Sequence, residues 1–230
     1  MNRMKTVRGI AVLLAAIPLF YLFSNILQTI FVSGANASEQ SERCSDEKLI
    51  ALTFDDGPNA LYTPLLLDGL KERNVKATFF LMGKCAEEQP ELVQRMYEEG
   101  HLIGNHTYDH VNLKNMTESA ACEQVRKTNE VIESITGYYP EYVRPPFGEW
   151  RKAIDQDMTM IKVMWDIDPL DWATGNSKAV VERVVKKCKD NDIILMHDAS
   201  ASSVKAALEI IDILQEEGYQ FVTVDQLILD

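Results

Sequence analysis

Histidine and tryptophan are scarce in this 230-residue chain, with four and three copies, and no acidic residue precedes Glu39. Basic residues are also a minority, with 23 lysines and arginines against 35 aspartates and glutamates. Because Arg3, Lys5 and Arg8 precede Glu39, the chain from residue 38 onward holds 20 basic and 35 acidic residues, a net charge of −15. Nucleic-acid binding depends largely on lysine and arginine, which displace counterions from phosphates. We therefore expect no nucleic-acid partner.

Internal repeats are missing too, and only four cysteines occur. The composition, with 46% hydrophobic and 25% charged residues, is that of an ordinary globular protein. It excludes a disordered tail and a miniprotein held together by disulfides alone. The length allows a core of one domain, or of two.

The amino end is basic and then uncharged from Gly9 to Val32, with a dense apolar stretch over Ile10–Phe23. About twenty apolar residues can span a bilayer, whereas a secretory signal has a shorter apolar region followed by a small-x-small cleavage site such as Ala35–Ala37. We expect residues 1–37 to form a hydrophobic helix that remains as a single-pass membrane anchor, with a cleaved signal peptide as the alternative. Either reading makes the rest of the chain extracytoplasmic. Residues 38–47 are polar and small, as in a spacer.

Short apolar runs of β type alternate with helical periodicity from residue 48 to residue 230. The runs predict seven strands, near Leu49–Phe54, Lys76–Met82, His101–Asn105, Tyr142–Arg144, Ile161–Ile167, Asp192–His197 and Gln220–Val224. Between them, apolar spacing predicts helices around 65–70, 92–97, 125–135, 180–188 and 204–214. This alternation predicts one α/β domain with a mostly parallel sheet, open or closed into a barrel. In both cases the active site lies at the carboxyl ends of the strands.

Carboxylates and imidazoles follow two of these strands. Asp55 and Asp56 end the first strand before the turn at Gly57–Pro58; a plain helix-capping role is the alternative. His106 and His110 follow the third strand, and a spacing of four on a helical turn can bring two imidazoles to one ion. A surface histidine pair is the other interpretation. Two histidines and one aspartate together would leave coordination positions of a metal open for water and substrate.

Three more motifs stand at later strand ends. Arg144–Gly148 (RPPFG) combines an arginine with two prolines that restrict the backbone; a structural turn explains the prolines but not the arginine beside an acidic site. Trp165–Trp172 contains three aspartates and two tryptophans among apolar residues, and His197 ends the sixth strand. A lone histidine there is more often structural. Five motifs at five successive strand ends, with three of the four histidines, indicate a functional site.

These motifs resemble, in order, those of the polysaccharide deacetylases, the NodB-homology family of carbohydrate esterases. The similar segments span residues 48 to 228 and read TFDDGP, HTYDH, RPPFG, the Asp-Trp pair and Leu-Met-His. The resemblance is greatest to bacterial cell-wall and chitooligosaccharide deacetylases. It implies a distorted (β/α) barrel of about seven parallel strands. It also implies metal-dependent hydrolysis of N-acetyl or O-acetyl groups on a glycan.

The resemblance implies a role for each motif residue in the first part of the site. Asp56, His106 and His110 would be the ligands of a divalent metal, with zinc expected first and cobalt, nickel or manganese as alternatives. Asp55 would be the general base, and Arg144 would hold it in place. This division fits amide hydrolysis, which needs a strong nucleophile at neutral pH and charge stabilisation for the tetrahedral oxyanion.

The remaining roles concern the oxyanion, the leaving group and the acetyl pocket. By the same resemblance, His197 would be the general acid that protonates the departing amine, and Asp171 would orient or tune it. The backbone N–H of Phe147 would donate to the oxyanion. Many relatives have tyrosine there, and because the donor is backbone, we expect phenylalanine to leave catalysis intact. Trp172 and Leu195 would line the acetyl pocket.

We expect removal of N-acetyl groups from N-acetylglucosamine residues, in peptidoglycan first and in chitin oligomers next, by a monomeric enzyme. Some muramyl-type relatives have asparagine in place of the second aspartate of the first motif, whereas this chain keeps Asp56, which favours the glucosamine-directed branch. An O-acetyl xylan or glycan esterase would use the same site. An inactive glycan-binding wall protein would have lost a motif residue, and a structural metal module would need a fourth ligand.

The four cysteines allow three pairings, and export makes disulfides plausible. The predicted fold places Cys85 and Cys122 on the active-site face, and Cys44 and Cys188 on the opposite face. Because bridged Cα atoms lie within about 7 Å, only Cys85–Cys122 together with Cys44–Cys188 gives two bridges. Cys188 as a buried apolar residue is the alternative to the second bridge.

Overall fold

The computed structural model describes residues 47–152, 154 and 159–228. The predicted hydrophobic helix within 1–37, nearly all of the predicted spacer and Cys44 lie outside the described residues. Among the residues that are described, no helix combines the length and apolar character needed to cross a bilayer.

Seven parallel strands form one sheet in the described part of the chain, as the sequence predicts. They are β1 (Lys48–Asp55), β2 (Thr78–Leu81), β3 (Leu102–Asn105), β4 (Tyr142–Val143), β5 (Ile161–Lys162), β6 (Asp192–His197) and β7 (Tyr219–Val222). The order across the sheet is β5-β4-β3-β2-β1-β6. Strand β7 pairs with the first half of β1, and β2 pairs with its second half. The strand that carries Asp55 is therefore central.

The sheet curls into a half-barrel because the segment that follows β5 connects its two edges. At the start of this segment, Val163 N donates to Val143 O of β4 at 2.9 Å. At its end, Leu195 N of β6 donates to Ile167 O at 2.9 Å, and Ile167 forms an isolated parallel bridge with Ile194. The predicted strand over 161–167 is thus regular only at its first two residues. The curl brings the carboxyl ends of all strands toward one opening.

Seven α-helices cover the strands in the described residues. They are α1 (Thr63–Glu72), α2 (Gly83–Glu88), α3 (Pro90–Glu98), α4 (Glu118–Thr136), α5 (Ser177–Val185), α6 (Ala201–Glu216) and α7 (Val224–Ile228). The five predicted helices are all present. Helices α2 and α7 were not predicted, because six and five residues are too few to show helical periodicity.

The core lies between β1 and the apolar stripes of the helices. Every residue of β1 after Lys48 is buried, as expected for a strand in a parallel sheet that is covered on both faces. Side chains such as Leu66 of α1 and Ile210 of α6 pack in the same cluster. Full burial of one such side chain contributes about 1.5–3 kcal/mol. This packing fixes β1, and with it the position of the residues at its carboxyl end.

The disulfide prediction is wrong for Cys85, which is a free thiol. Its side chain and that of Cys122 point to different surroundings: Cys122 packs with an apolar cluster around Leu113, whereas burial and nearby carboxylates raise the pKa of Cys85. Two cysteines on one face of a fold are thus not necessarily neighbours. Cys188 is also a thiol, and its predicted partner Cys44 lies outside the described residues.

Candidate active site

The carboxyl end of β1 presents two carboxylates with different neighbours. Asp55 is the last strand residue, pairs with His197 of β6 across the sheet, and is buried. Asp56 has a left-handed backbone with φ 73°, an uncommon conformation for a residue other than glycine. Burial raises the pKa of Asp56, but contacts with His106 and the other imidazoles outweigh this effect and lower it. Asp56 is therefore a carboxylate at neutral pH.

The two histidines after β3 converge through a bend, not through the helical turn that the spacing suggested. Thr107 and His110 both have left-handed backbones, with φ 63° and 53°. The bend brings the rings of His106 and His110 to a centroid distance of 5.1 Å. Each Nε2 atom lies 3.3 Å from Oδ1 of Asp56. The three predicted metal ligands therefore meet at one point.

The chemistry of these three groups fits a divalent cation. His106 Nδ1 donates to Arg144 O at 2.7 Å, which leaves Nε2 with its lone pair toward Asp56. Burial lowers the pKa of His110, which favours the neutral imidazole that binds metals. Asp56 Oδ1 is buried and accepts no hydrogen bond from the described residues. One ligand atom from each residue lies within 4.8 Å of the others, as in a three-ligand metal site.

Arg144 holds Asp55 from the side opposite the histidines. It is fully buried, and its Nη1 donates to Asp55 Oδ1 at 2.8 Å and to Thr53 Oγ1 at 2.7 Å. Nη2 donates to Met164 O at 3.0 Å, and the guanidinium lies 4.2 Å from the ring centroid of Phe80. With one oxygen bound to Arg144, Asp55 has Oδ2 toward the histidines, 3.9 Å from His106 Nε2.

His197 is fixed at two points by one carboxylate. Asp171, which is buried, accepts from His197 Nδ1 through Oδ1 and from His197 N through Oδ2, both at 2.9 Å. Burial lowers the pKa of His197, but the hydrogen bond and the charge of Asp171 outweigh burial and raise it. The free Nε2 lies 3.9 Å from Asp56 Oδ2. The raised pKa favours the imidazolium form, in which Nε2 carries a proton toward the point where the metal ligands meet.

A cleft of about 400 Å³ opens above these groups. It is lined by Asp55, Asp56, His106, His110, Pro145, Phe147, Trp165, Asp168, Trp172, Leu195 and His197. The predicted site residues thus all line the cleft, apart from Arg144 and Asp171, which are buried behind it. Phe147 and Trp172 expose about two-thirds of their surface, 64% and 65%. Such aromatic rings at the rim suit contact with a sugar.

The family model for polysaccharide deacetylases matches residues 42–163, which is more than half of the chain. The chain belongs to the polysaccharide deacetylase family. The match covers the first three motifs, and the fold and the later motifs agree with it. The family membership predicted from the motifs is therefore confirmed.

Peptidoglycan deacetylases are among the similar members of this family. The chain is 43% identical over 182 residues to the peptidoglycan-N-acetylmuramic acid deacetylase PdaC of Bacillus subtilis, covering 79% of the chain and 39% of the relative. It is 38% identical over 185 residues to the peptidoglycan-N-acetylglucosamine deacetylase PgdA of Listeria monocytogenes, covering 80% and 40%. The solved structure of PdaC matches with a TM-score of 0.77 over 79% of this chain and 90% of that one. The chain thus spans about two-fifths of the length of these curated relatives.

Three polar residues of this polysaccharide deacetylase were missed in the sequence. Thr53 accepts from Arg144; it is the first residue of the TFDDGP motif, but no role was assigned to it from the sequence. Asp168 lines the cleft. Asp198 is buried, which raises its pKa to about 6, and it accepts a hydrogen bond from Thr63. In the sequence, the position of Asp198 directly after His197 could have indicated a role for it.

Proposed function

We propose that this chain removes N-acetyl groups from the amino sugars of peptidoglycan, releases acetate, and prefers N-acetylglucosamine. One observation carries the proposal: a base candidate and an acid candidate flank the three convergent ligand atoms. The base candidate is Asp55, held by Arg144, and the acid candidate is His197, held by Asp171. Amide hydrolysis requires this pair, because water must lose a proton and the amine must gain one.

Asp56, His106 and His110 would hold the divalent cation that the family uses. Zinc is the first candidate because two imidazoles and one carboxylate suit it, with cobalt, nickel and manganese as alternatives. When bound, such a cation supplies positive charge that polarises a carbonyl group and favours the ionised form of water. The remaining steps belong to residues of the chain itself.

Asp55 accepts a proton from the attacking water as its oxygen bonds to the acetyl carbon. Arg144 fixes the orientation of this carboxylate through the 2.8 Å hydrogen bond. The carbonyl oxygen then carries negative charge, and the backbone N–H of Phe147 donates to it. Trp172 and Leu195 surround the methyl group of the acetyl and exclude water from it.

His197 completes the reaction by donating the proton of Nε2 to the amide nitrogen while the carbon–nitrogen bond breaks. The products are acetate and a free amine on the sugar. Asp171 keeps the imidazole oriented and stabilises its positive charge. An amine is a poor leaving group without a proton, so this step is needed for amides.

The charge of the cleft favours a neutral sugar. Asp55, Asp56 and Asp168 line it, and no lysine or arginine does so among the described residues. Asp55 is paired with Arg144 and Asp56 would bind the cation, so Asp168 is the carboxylate whose charge an approaching sugar meets. N-acetylmuramic acid carries a lactyl carboxylate beside its acetamido group, which Asp168 would repel. N-acetylglucosamine has a hydroxyl there. The similarity to PdaC, named for the muramic acid sugar, makes that sugar the second candidate.

The test is acetate release by the full chain from peptidoglycan, chitin oligomers and acetylated xylan, with Asp55→Asn as the background control. Reaction of the new amines with fluorodinitrobenzene, whose aryl–nitrogen bond survives acid hydrolysis, followed by hydrolysis of the peptidoglycan would show which sugar was changed. We expect acetate from peptidoglycan and label on glucosamine. Label on muramic acid would contradict the preferred sugar, and acetate from xylan alone would contradict N-deacetylation.

We also propose an extracytoplasmic location, with residues 1–37 as a membrane anchor. The support is the basic amino end followed by a long uncharged run. Fractionation of cells that produce the full chain with a carboxyl-terminal tag would test this. A full-length product in the membrane fraction, accessible to protease from outside, is expected. A shortened product in the medium would instead indicate signal cleavage.

A further inference from the structure

The bend between His106 and His110 includes the backbone N–H groups of Tyr108 and Asp109. Both donate to the same oxygen, Oε1 of Gln124, at 3.1 and 2.9 Å. A side-chain amide oxygen has two lone pairs, so this one acceptor satisfies both donors. The amide nitrogen of Gln124 donates in turn to Asp109 Oδ2 at 2.9 Å. One side chain thus holds the middle of the bend by three hydrogen bonds.

Gln124 belongs to the longest helix of the described chain and lies outside the cleft. Helix α4 begins after Thr117, whose side chain accepts from Ala120 N, and ends at Gly137, whose left-handed φ of 75° suits glycine. Both ends of the helix are therefore well defined, and the helix holds Gln124 in a fixed position. The other side of the bend is bound by α2, where Gly83 N donates to Thr107 O at 3.0 Å.

The position of His110 depends on this bend more than that of His106 does. The ring of His106 has its own anchor in the hydrogen bond to Arg144 O. His110 follows the two N–H groups that Gln124 binds, and its own backbone is left-handed. A change in the bend would therefore alter the 3.3 Å contact of His110 with Asp56 first.

We propose that Gln124 is a positioning residue of the metal site: it holds the His106–His110 bend in the shape that lets both imidazoles bind one cation. This inference rests on the proposed function for the metal but adds a residue that none of the five motifs contains. Gln124 acts through the backbone of Tyr108 and Asp109 and touches neither metal nor substrate. Residues that hydrogen-bond to a metal ligand change the affinity by about 10- to 100-fold when removed. Gln124 acts one step further out, through the backbone between the two ligands, so we expect an effect at the lower end of this range.

The experiment measures zinc affinity of the full chain by competition with a chromophoric chelator. Gln124→Ala removes all three hydrogen bonds, and we expect its zinc dissociation constant to rise by about tenfold or more. Gln94→Ala is the matched control, because the side chain of Gln94, on the surface of α3, bonds only to Glu98 among the residues that the structure describes. We expect zinc affinity within about twofold of the original chain for that variant, and circular dichroism shows whether both are folded.

A pair of variants makes the test independent of the stability of the alanine variant. Gln124→Glu keeps the oxygen acceptors but places a second carboxylate against Asp109, so zinc affinity should fall. Adding Asp109→Asn restores a donor opposite the new carboxylate, so the double variant should recover most of the affinity. The cobalt absorption spectrum of each form reports ligand geometry and should follow the same order.

Unchanged zinc affinity in folded Gln124→Ala would overturn the inference. Equal affinity of Gln124→Glu with and without Asp109→Asn would also overturn it, as would a full chain that binds no zinc. Failure of the proposed function alone would give a different result. The full chain would bind zinc and Gln124→Ala would weaken that binding, but the full chain would release no acetate from any glycan.

Discussion

Asp55 and Asp56 are adjacent in the chain but are suited to different tasks. Asp55 ends a buried strand and is held at 2.8 Å by a fully buried arginine. Asp56 turns away through its left-handed backbone and meets two imidazoles at 3.3 Å. The change of backbone conformation between two consecutive residues is what gives the two carboxylates different partners.

Asp55→Asn separates these tasks experimentally. Asparagine keeps the size of the side chain but cannot accept the proton of water, so turnover should fall by about two orders of magnitude or more. Zinc content should stay nearly unchanged, because Asp56 supplies the carboxylate ligand. Acetate release and metal analysis on the same preparation check both. Loss of zinc from this variant would make Asp55 a ligand instead.

His197→Ala tests the general acid through the leaving group. We expect a large loss of rate on an acetamido sugar and a small loss on an aryl acetate, because a phenolate departs without a proton whereas an amine does not. Steady-state rates on the two substrates give the comparison. Equal slowing of both substrates would argue against the acid role.

The burial of Asp198 predicts that the contribution of this residue to the stability of the protein falls as the pH rises. Burial raises its pKa from 3.8 to about 6, so between these values the folded state holds a proton that the unfolded state has released. Its contribution to stability therefore falls as pH rises through this window, by about 3 kcal/mol in total. Asp198→Asn should remove this fall. Urea unfolding of both proteins at pH 4 and pH 7 gives the difference, and a pH-independent difference would contradict the prediction.

At the residue scale, the sequence predicted the side chains that stand within short motifs, and the structure brings them into one cleft. It did not predict Gln124 or Asp198. Gln124 is distant in sequence from the bend it binds and sits on the polar side of an ordinary amphipathic helix. Asp198 is identified by its burial, which no local pattern reveals.

At the element scale, the bend over 106–110 shows the limit of spacing rules. Two histidines four residues apart fit one face of a helix, and the segment is nevertheless not helical. The N–H groups that a helix would satisfy internally are bound by α4 and by Asn105, whose Oδ1 accepts from Thr107 N at 2.8 Å. Side chains from elsewhere therefore decide the local conformation.

The contact between β2, β3 and β4 is tight at Gly104. A Cβ atom there would lie 2.5 Å from the Phe80 ring and 3.2 Å from Tyr142 O, so Gly104→Ala should cost about 1–3 kcal/mol of unfolding free energy. Gly175→Ala is the control, since nothing lies within 4 Å of its Cβ. Chemical denaturation of the two variants makes the comparison. Equal stability would show that the sheet can absorb the extra methyl group.

At the scale of the whole molecule, seven parallel strands could be predicted from alternation, but their closure could not. The half-barrel depends on an irregular segment that bonds to β4 at Val163 and to β6 at Ile167. Within the predicted strand over 161–167, only Ile161 and Lys162 form a regular strand. The curl is set by long-range hydrogen bonds, whereas the pairing of β1 with β6 places His197 beside Asp55.

The central claim is that these groups act as one metal-dependent N-deacetylase site, and metal removal tests it most directly. Acetate release from peptidoglycan by the full chain should disappear after thorough treatment with a chelator. It should return on addition of Zn²⁺ or Co²⁺, in step with the appearance of free amines on the sugar. Full activity in a preparation shown by metal analysis to be free of divalent cations would contradict the account.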